Sequence, residues 1–127
     1  MNNIFNTMLD TIASRLSTVC EHVFITNRPT SWPQTIDECL ILSIPKGIER
    51  GSHIHRSAWV NIRVCVRDRS HGMERHDHLR LLTRQVVSLF PFSTGMLTCF
   101  ACTMTGHGSD KNGSHHATLK LRAIETL

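Results

Sequence analysis

Apolar residues recur through residues 3–20 at steps of three and four: Ile4, Phe5, Met8, Leu9, Ile12, Leu16 and Val19. That spacing draws a single stripe along an α-helix, with Asn6, Asp10, Ser14 and Ser17 mostly off it. Asn2 or Asn3 can cap its start. The pattern then shortens. Val23, Phe24 and Ile25 predict a brief strand over 22–26. Two prolines turn 27–33, Asn27 to Pro33, into a loop, because each fixes its own φ and biases the preceding residue away from helix. Residues 38–44 form an apolar run, Cys39-Leu40-Ile41-Leu42-Ser43-Ile44, which predicts a strand buried on both faces and ended by Pro45. Residues 46–56, with Gly47, Gly51, Ser52, His53 and His55, predict a long, mobile hairpin loop.

The clearest strand signal lies at 57–67. Val60, Ile62, Val64 and Val66 point one way, and Trp59, Asn61, Arg63, Cys65 and Arg67 the other. Residues 68–72 predict a turn. Leu79, Leu82, Val86 and Leu89 share a face of a second helix over 73–90, which Pro91 closes. A strand is predicted at 96–104 and a polar loop at 106–113, where Asn112-Gly113 is a turn signal. Residues 115–125 alternate again, with Ala117, Leu119, Leu121 and Ala123 opposed to His116, Thr118, Lys120 and Arg122.

The predicted order is α-β-β-β-α-β-β. Two helices with apolar stripes and several one-sided strands are best buried as an α+β fold, a mostly antiparallel sheet with both amphipathic helices on one face. No linker or repeat interrupts residues 1–127, which predicts a single domain. At 127 residues the chain can bury one real core. With 40% hydrophobic and 19% charged residues it is globular material, not a disordered tail. Tyrosine is absent and aromatics make up only 6%, which argues against a platform for stacking bases or sugars.

Candidate chemistry is sparse. The five cysteines, Cys20, Cys39, Cys65, Cys99 and Cys102, are odd in number and irregular in spacing. They predict buried free thiols and a reducing, cytosolic folding environment. Cys99-x-x-Cys102 is half a zinc site without its other half, and on a strand its two thiols would point to opposite faces. His53-x-His55 has strand spacing, so its imidazoles could converge. His76 and His78, at a helix start, diverge by about 200° and do not complete a three-ligand catalytic zinc site. No G-x-S-x-G elbow, phosphate loop or pKa-lifting carboxylate environment supports nucleophilic or acid–base catalysis. No secretory signal and no run near 18 apolar residues is present, which predicts a soluble protein. The expectation is neither an enzyme nor a holder of metal or cofactor.

The chain resembles, in the order of its elements, the tail terminator (tail-completion) proteins of long-tailed bacteriophages such as lambda. The likeness runs from the amphipathic helix Ile4 to Val19, through the Pro-containing loop Arg28 to Pro33 and the apolar strand Cys39 to Ile44. It continues through the alternating strand opened by Trp59 and the helix Met73 to Phe90 to the hairpin Met96 to Glu125. The resemblance implies a structural neck protein in the virion, assembled in the host cytoplasm. It further implies a ring, a hexamer, that caps the tail tube, stops its polymerisation and joins it to the head connector or stopper protein. DNA would pass through the lumen without sequence-specific binding. The family brings no catalytic residues.

With 14 Lys and Arg against 10 Asp and Glu, the net charge is +4, and nine histidines would add to it below about pH 6.5. By strand alternation Arg63, Arg67, Lys120 and Arg122 fall on one sheet face, the expected interface or lumen surface, with His53 and His55 beside it. The alternative is a small metal-dependent or nucleic-acid-binding domain that uses the His-rich segments.

Overall fold

The computed structural model describes residues 4–26, 33, 35–51, 55–68, 76–109 and 113–126, and their side chains except those of residues 4–7 and 76. The fold is mixed α+β: two helices and a mostly antiparallel sheet of eight strands. Helix α1 spans Ile4–Leu16 and is followed by β1 (Val23–Ile25), β2 (Glu38–Ser43), β3 (Glu49–Arg50) and β4 (His55–Arg67). Helix α2 spans His76–Ser88 and precedes β5 (Phe92–Thr94), β6 (Leu97–Cys99), β7 (Thr103–Ser109) and β8 (Ser114–Thr126). The strands run β1-β2-β4-β8-β6-β5, with β3 also on β4 and β7 also on β8. Among the described strands only β1 and β2 pair in parallel.

The two 13-residue strands β4 and β8 form the spine, in register from His55 opposite Thr126 to Arg67 opposite Ser114. Their alternation decides the packing. Val60 faces Leu121, Ile62 faces Leu119 and Val64 faces Ala117 across the ladder. These residues join Leu40 and Leu42 of β2 in one buried cluster. Met8, Leu9, Ile12 and Leu16 of α1 and Leu82 and Val86 of α2 belong to the same cluster. Each such aliphatic side chain contributes about 1.5–3 kcal/mol when fully buried, so this cluster dominates the stability. As expected, β2 is buried on both sides. Its alternate residues Cys39 and Ile41 pack with Cys65, Phe24 and Ile36 in a second, smaller cluster.

The order differs from the expected one, chiefly after α2. Four strands follow that helix instead of two. The predicted strand 96–104 breaks after Cys99 and resumes at Thr103, and the first half of the predicted loop 106–113 lies in β7, which ends at Ser109. The polar segment Gly106-His107-Gly108-Ser109 forms a strand because it pairs with β8 on one side only, where a one-sided ladder tolerates polar and glycine residues. A register shift between Met104 and Gly106 absorbs the local misfit. The break also corrects the expectation for Cys99 and Cys102. Residues 100–102 are not strand, and both thiols enter the main core cluster. The predicted loop 46–56 is partly strand, since Glu49 and Arg50 pair with Ser57 and Arg56, and β4 already begins at His55. His53 and the helix-start residues 71–75 lie outside the described residues.

Candidate functional site

The same alternation that buries Val60 and Leu121 turns Trp59, Asn61, Arg63 and Arg67 of β4 to the opposite, outer face. From β8 it places Thr118, Lys120 and Arg122 beside them. All four cations predicted to share a face do share it, but not as equals. Trp59 lies opposite Arg122 in the ladder, and two cations gather over its ring. Lys120 Nζ is 4.5 Å and Arg122 Cζ 5.2 Å from the ring centroid. Arg122 Nη2 also donates to Ser57 Oγ at 3.1 Å. A recess of about 300 Å³ opens here, lined by Lys46, Trp59, Asn61, Thr105 and Lys120. Among the described residues its lining has no carboxylate, so these present cations and neutral donors to an incoming oxyanion.

Arg67 has another task. Its Nη1 donates to the carbonyls of Pro33 at 3.1 Å and Ile36 at 2.9 Å, and its backbone N–H donates to Asp37 O at 2.7 Å. It fixes the chain entering β2 to the end of β4. Arg63 is half-buried at the middle of the face, opposite Thr118. His55 is exposed at the first position of β4, on the parity of Trp59.

The thiols are protected. All five cysteines are free and buried. Burial pushes Cys99 and Cys102 up to about 12. Cys39 is held well above the ordinary thiol value by its hydrogen bond with Cys65, the residue opposite it, and then by burial. Among the described residues, no group of three or more His, Cys, Asp or Glu is placed to hold a metal ion. His78, one of the candidate ligands, is engaged with Glu38, which ties α2 to β2. Among those residues no helix is long and apolar enough to cross a membrane.

A second constellation was not foreseen. Asp68 follows the last residue of β4, and Ser109 and His115 face each other across β7 and β8. His115 Nε2 lies 2.7 Å from Asp68 Oδ1, and His115 Nδ1 lies 2.6 Å from Ser109 Oγ. With Nε2–H donating to the carboxylate, Nδ1 is left as acceptor for the Ser109 hydroxyl. The imidazole is buried while Ser109 is exposed. Asp68 is placed by its own N–H, which donates to Gly113 O at 2.8 Å. Gly113 holds φ at +84°, and a Cβ there would meet Asp68 Oδ2 at 3.4 Å. One signal could have disclosed the site. The apolar parity of β8, read backwards from Leu119 and Ala117, falls next on His115, and a histidine on a core-facing position needs polar partners.

Ser109 also lines a groove of about 470 Å³ between α2 and β7. Leu79, Met104 and Ala117 give it apolar walls, and Arg80, Arg84 and His107 give it cationic or polar ones. No protein-family model matches the chain, and no curated protein matches it.

Proposed function

We propose that the chain is a phage tail terminator or a closely related neck protein. In this proposal six copies close into a ring at the head-proximal end of the tail. The ring ends polymerisation of the tail tube and joins the tail to the head connector or stopper protein. It is assembled in the host cytoplasm and stays in the virion. DNA passes through its lumen without sequence-specific contact. Assembly itself calls for no catalysis and no cofactor.

The observation that carries the proposal is the outer face of β4 and β8, which gathers Lys120 and Arg122 over Trp59 and carries Arg63 further along the same face, without contributing to the main core. Away from the buried Cys39, Ile41 and Cys65, the part of that face around Trp59, Asn61 and Lys120 is accessible to an anionic surface. A neighbouring subunit's carboxylates, the tail tube or the DNA could each present one. Support also comes from the edges of the sheet. Among the described strands, β1 at one end pairs only with β2, and β7, off the main path, only with β8, and both are the kind of edge that subunits of a ring can approach.

The test is the mass of the purified protein in solution, followed by cosedimentation with tail tubes. A six-fold species that binds tube ends supports the proposal. A protein that stays monomeric and ignores tubes refutes it.

A further inference from the structure

We propose that Ser109 is an activated nucleophile and that the groove beside it binds an ester of a short acyl chain ending in an anionic group. The geometry carries three of the requirements for such a site. The nucleophile and its base are within hydrogen-bond reach at 2.6 Å, and a carboxylate at 2.7 Å orients the base. The exposures follow the same logic: Ser109 is open to solvent, whereas His115 retains only 5% exposure. The ring nitrogens exchange the roles they have in serine hydrolases, with Nδ1 toward serine and Nε2 toward aspartate. Either imidazole nitrogen can take a proton when the other is held as N–H by a carboxylate.

The third requirement is room for a substrate, and Ser109 lies in the lining of the α2–β7 groove. About 470 Å³ is enough for a small ligand. Leu79, Met104 and Ala117 suit a short methylene chain. Arg80 and Arg84 suit a terminal carboxylate and are the cations available to offset charge developing on a carbonyl oxygen.

The reaction is ester hydrolysis in two steps. Ser109 Oγ bonds to the carbonyl carbon as its proton passes to His115 Nδ1. The bond to the leaving alcohol then breaks, and Nδ1–H protonates the departing oxygen. Water attacks the acyl-serine and gives one proton to Nδ1. The acyl–Oγ bond breaks, the carboxylic acid leaves, and the proton returns to Oγ. Asp68 is a positioning residue throughout, since it touches the imidazole and not the ester.

The probe is a fluorophosphonate, which traps a serine only when its hydroxyl is activated. The intact protein should be labelled at Ser109, and Ser109→Ala should abolish the label while leaving the fold unchanged. His115→Gln should slow labelling by about 100-fold or more. Asp68→Asn should slow it too, and Asp68→Glu should recover part of the rate. Hydrolysis of the mono-4-nitrophenyl ester of glutaric acid should exceed that of 4-nitrophenyl butyrate, and Arg80→Gln with Arg84→Gln should erase the preference. If His115→Gln does not fold, Ser109→Cys reads the same relay. With the five native thiols buried, its alkylation by iodoacetamide at neutral pH should run at least about tenfold faster than that of a free cysteine. Failure of the folded protein to label, labelling elsewhere, or an unchanged rate in His115→Gln would overturn the proposal and leave a hydrogen-bonded latch between β4 and the β7–β8 hairpin. None of these outcomes depends on ring formation.

Discussion

Strand β4 shows two faces to two different environments. Its even-numbered residues Ala58, Val60, Ile62, Val64 and Val66 are buried against both helices' apolar side chains. Its odd-numbered residues Trp59, Asn61, Arg63 and Arg67 remain half-buried: Arg67 meets backbone carbonyls and Trp59 meets Lys120 and Arg122 of β8, while Cys65, between Arg63 and Arg67, is buried in the smaller cluster. One strand thus serves stability on one side, and on the other the proposed role is association. Changes on the core face should appear in unfolding curves, and changes on the outer face in binding and salt dependence. The exception is Arg67, which points outward but acts as a structural clamp.

The largest difference is expected at alkaline pH. Cys99 and Cys102, in the core cluster, stay protonated to about 12 in the folded chain, against an ordinary thiol value of 9.0. A raised acid pKa in the fold means that the unfolded chain loses its protons first. The associated stability is therefore fully present below pH 9 and is lost as pH rises toward 12, on the order of several kcal/mol by the end. Urea midpoints at pH 8 and 10.5 check this, with Cys99→Ala plus Cys102→Ala as the control that makes the loss smaller and leaves the part due to Cys39 and Cys20. Equal slopes for both proteins would contradict it.

Truncation comes next. Leu119→Ala should cost about 2–5 kcal/mol in chemical denaturation, because Leu119 is fully buried opposite Ile62. Arg67→Ala should cost about 1–2 kcal/mol, since charged donors to the Pro33 and Ile36 carbonyls are lost. A silent Arg67→Ala would return this residue to the ordinary outer face. The smallest stability effect belongs to Lys120→Glu with Arg122→Glu, within about 1 kcal/mol for contacts over an accessible tryptophan. The same pair should weaken self-association or tube binding in sedimentation. Added salt should weaken the unaltered protein in the same direction. Unchanged association would reduce the outer face to solvated surface.

The spine of the fold was legible in the sequence because β4 and β8 alternate strictly, and each alternation names its buried partner. The apolar steps of α1 and α2 were legible for the same reason. The region after α2 was not, because Gly106 to Ser109 has no apolar period, and its strand character comes only from pairing with β8. The cationic face followed from parity alone, whereas the special position of Arg67 required the carbonyls of residues 33 and 36 to arrive from a distant loop. The Ser109–His115–Asp68 relay was hidden in a similar way. Asp68 is far from the hairpin in sequence and is brought to it by the β4–β8 register and the Gly113 turn.

The proposed role of the outer face in assembly is best tested by the mass of the protein in solution. Sedimentation velocity of the purified chain across a range of concentrations and salt should show a species of roughly six times the 14.4 kDa subunit, dissociating as salt rises. Lys120→Glu with Arg122→Glu should shift it toward the monomer at low salt. A 14.4 kDa species at every concentration, or a hexamer indifferent to both salt and the charge reversal, would contradict the account.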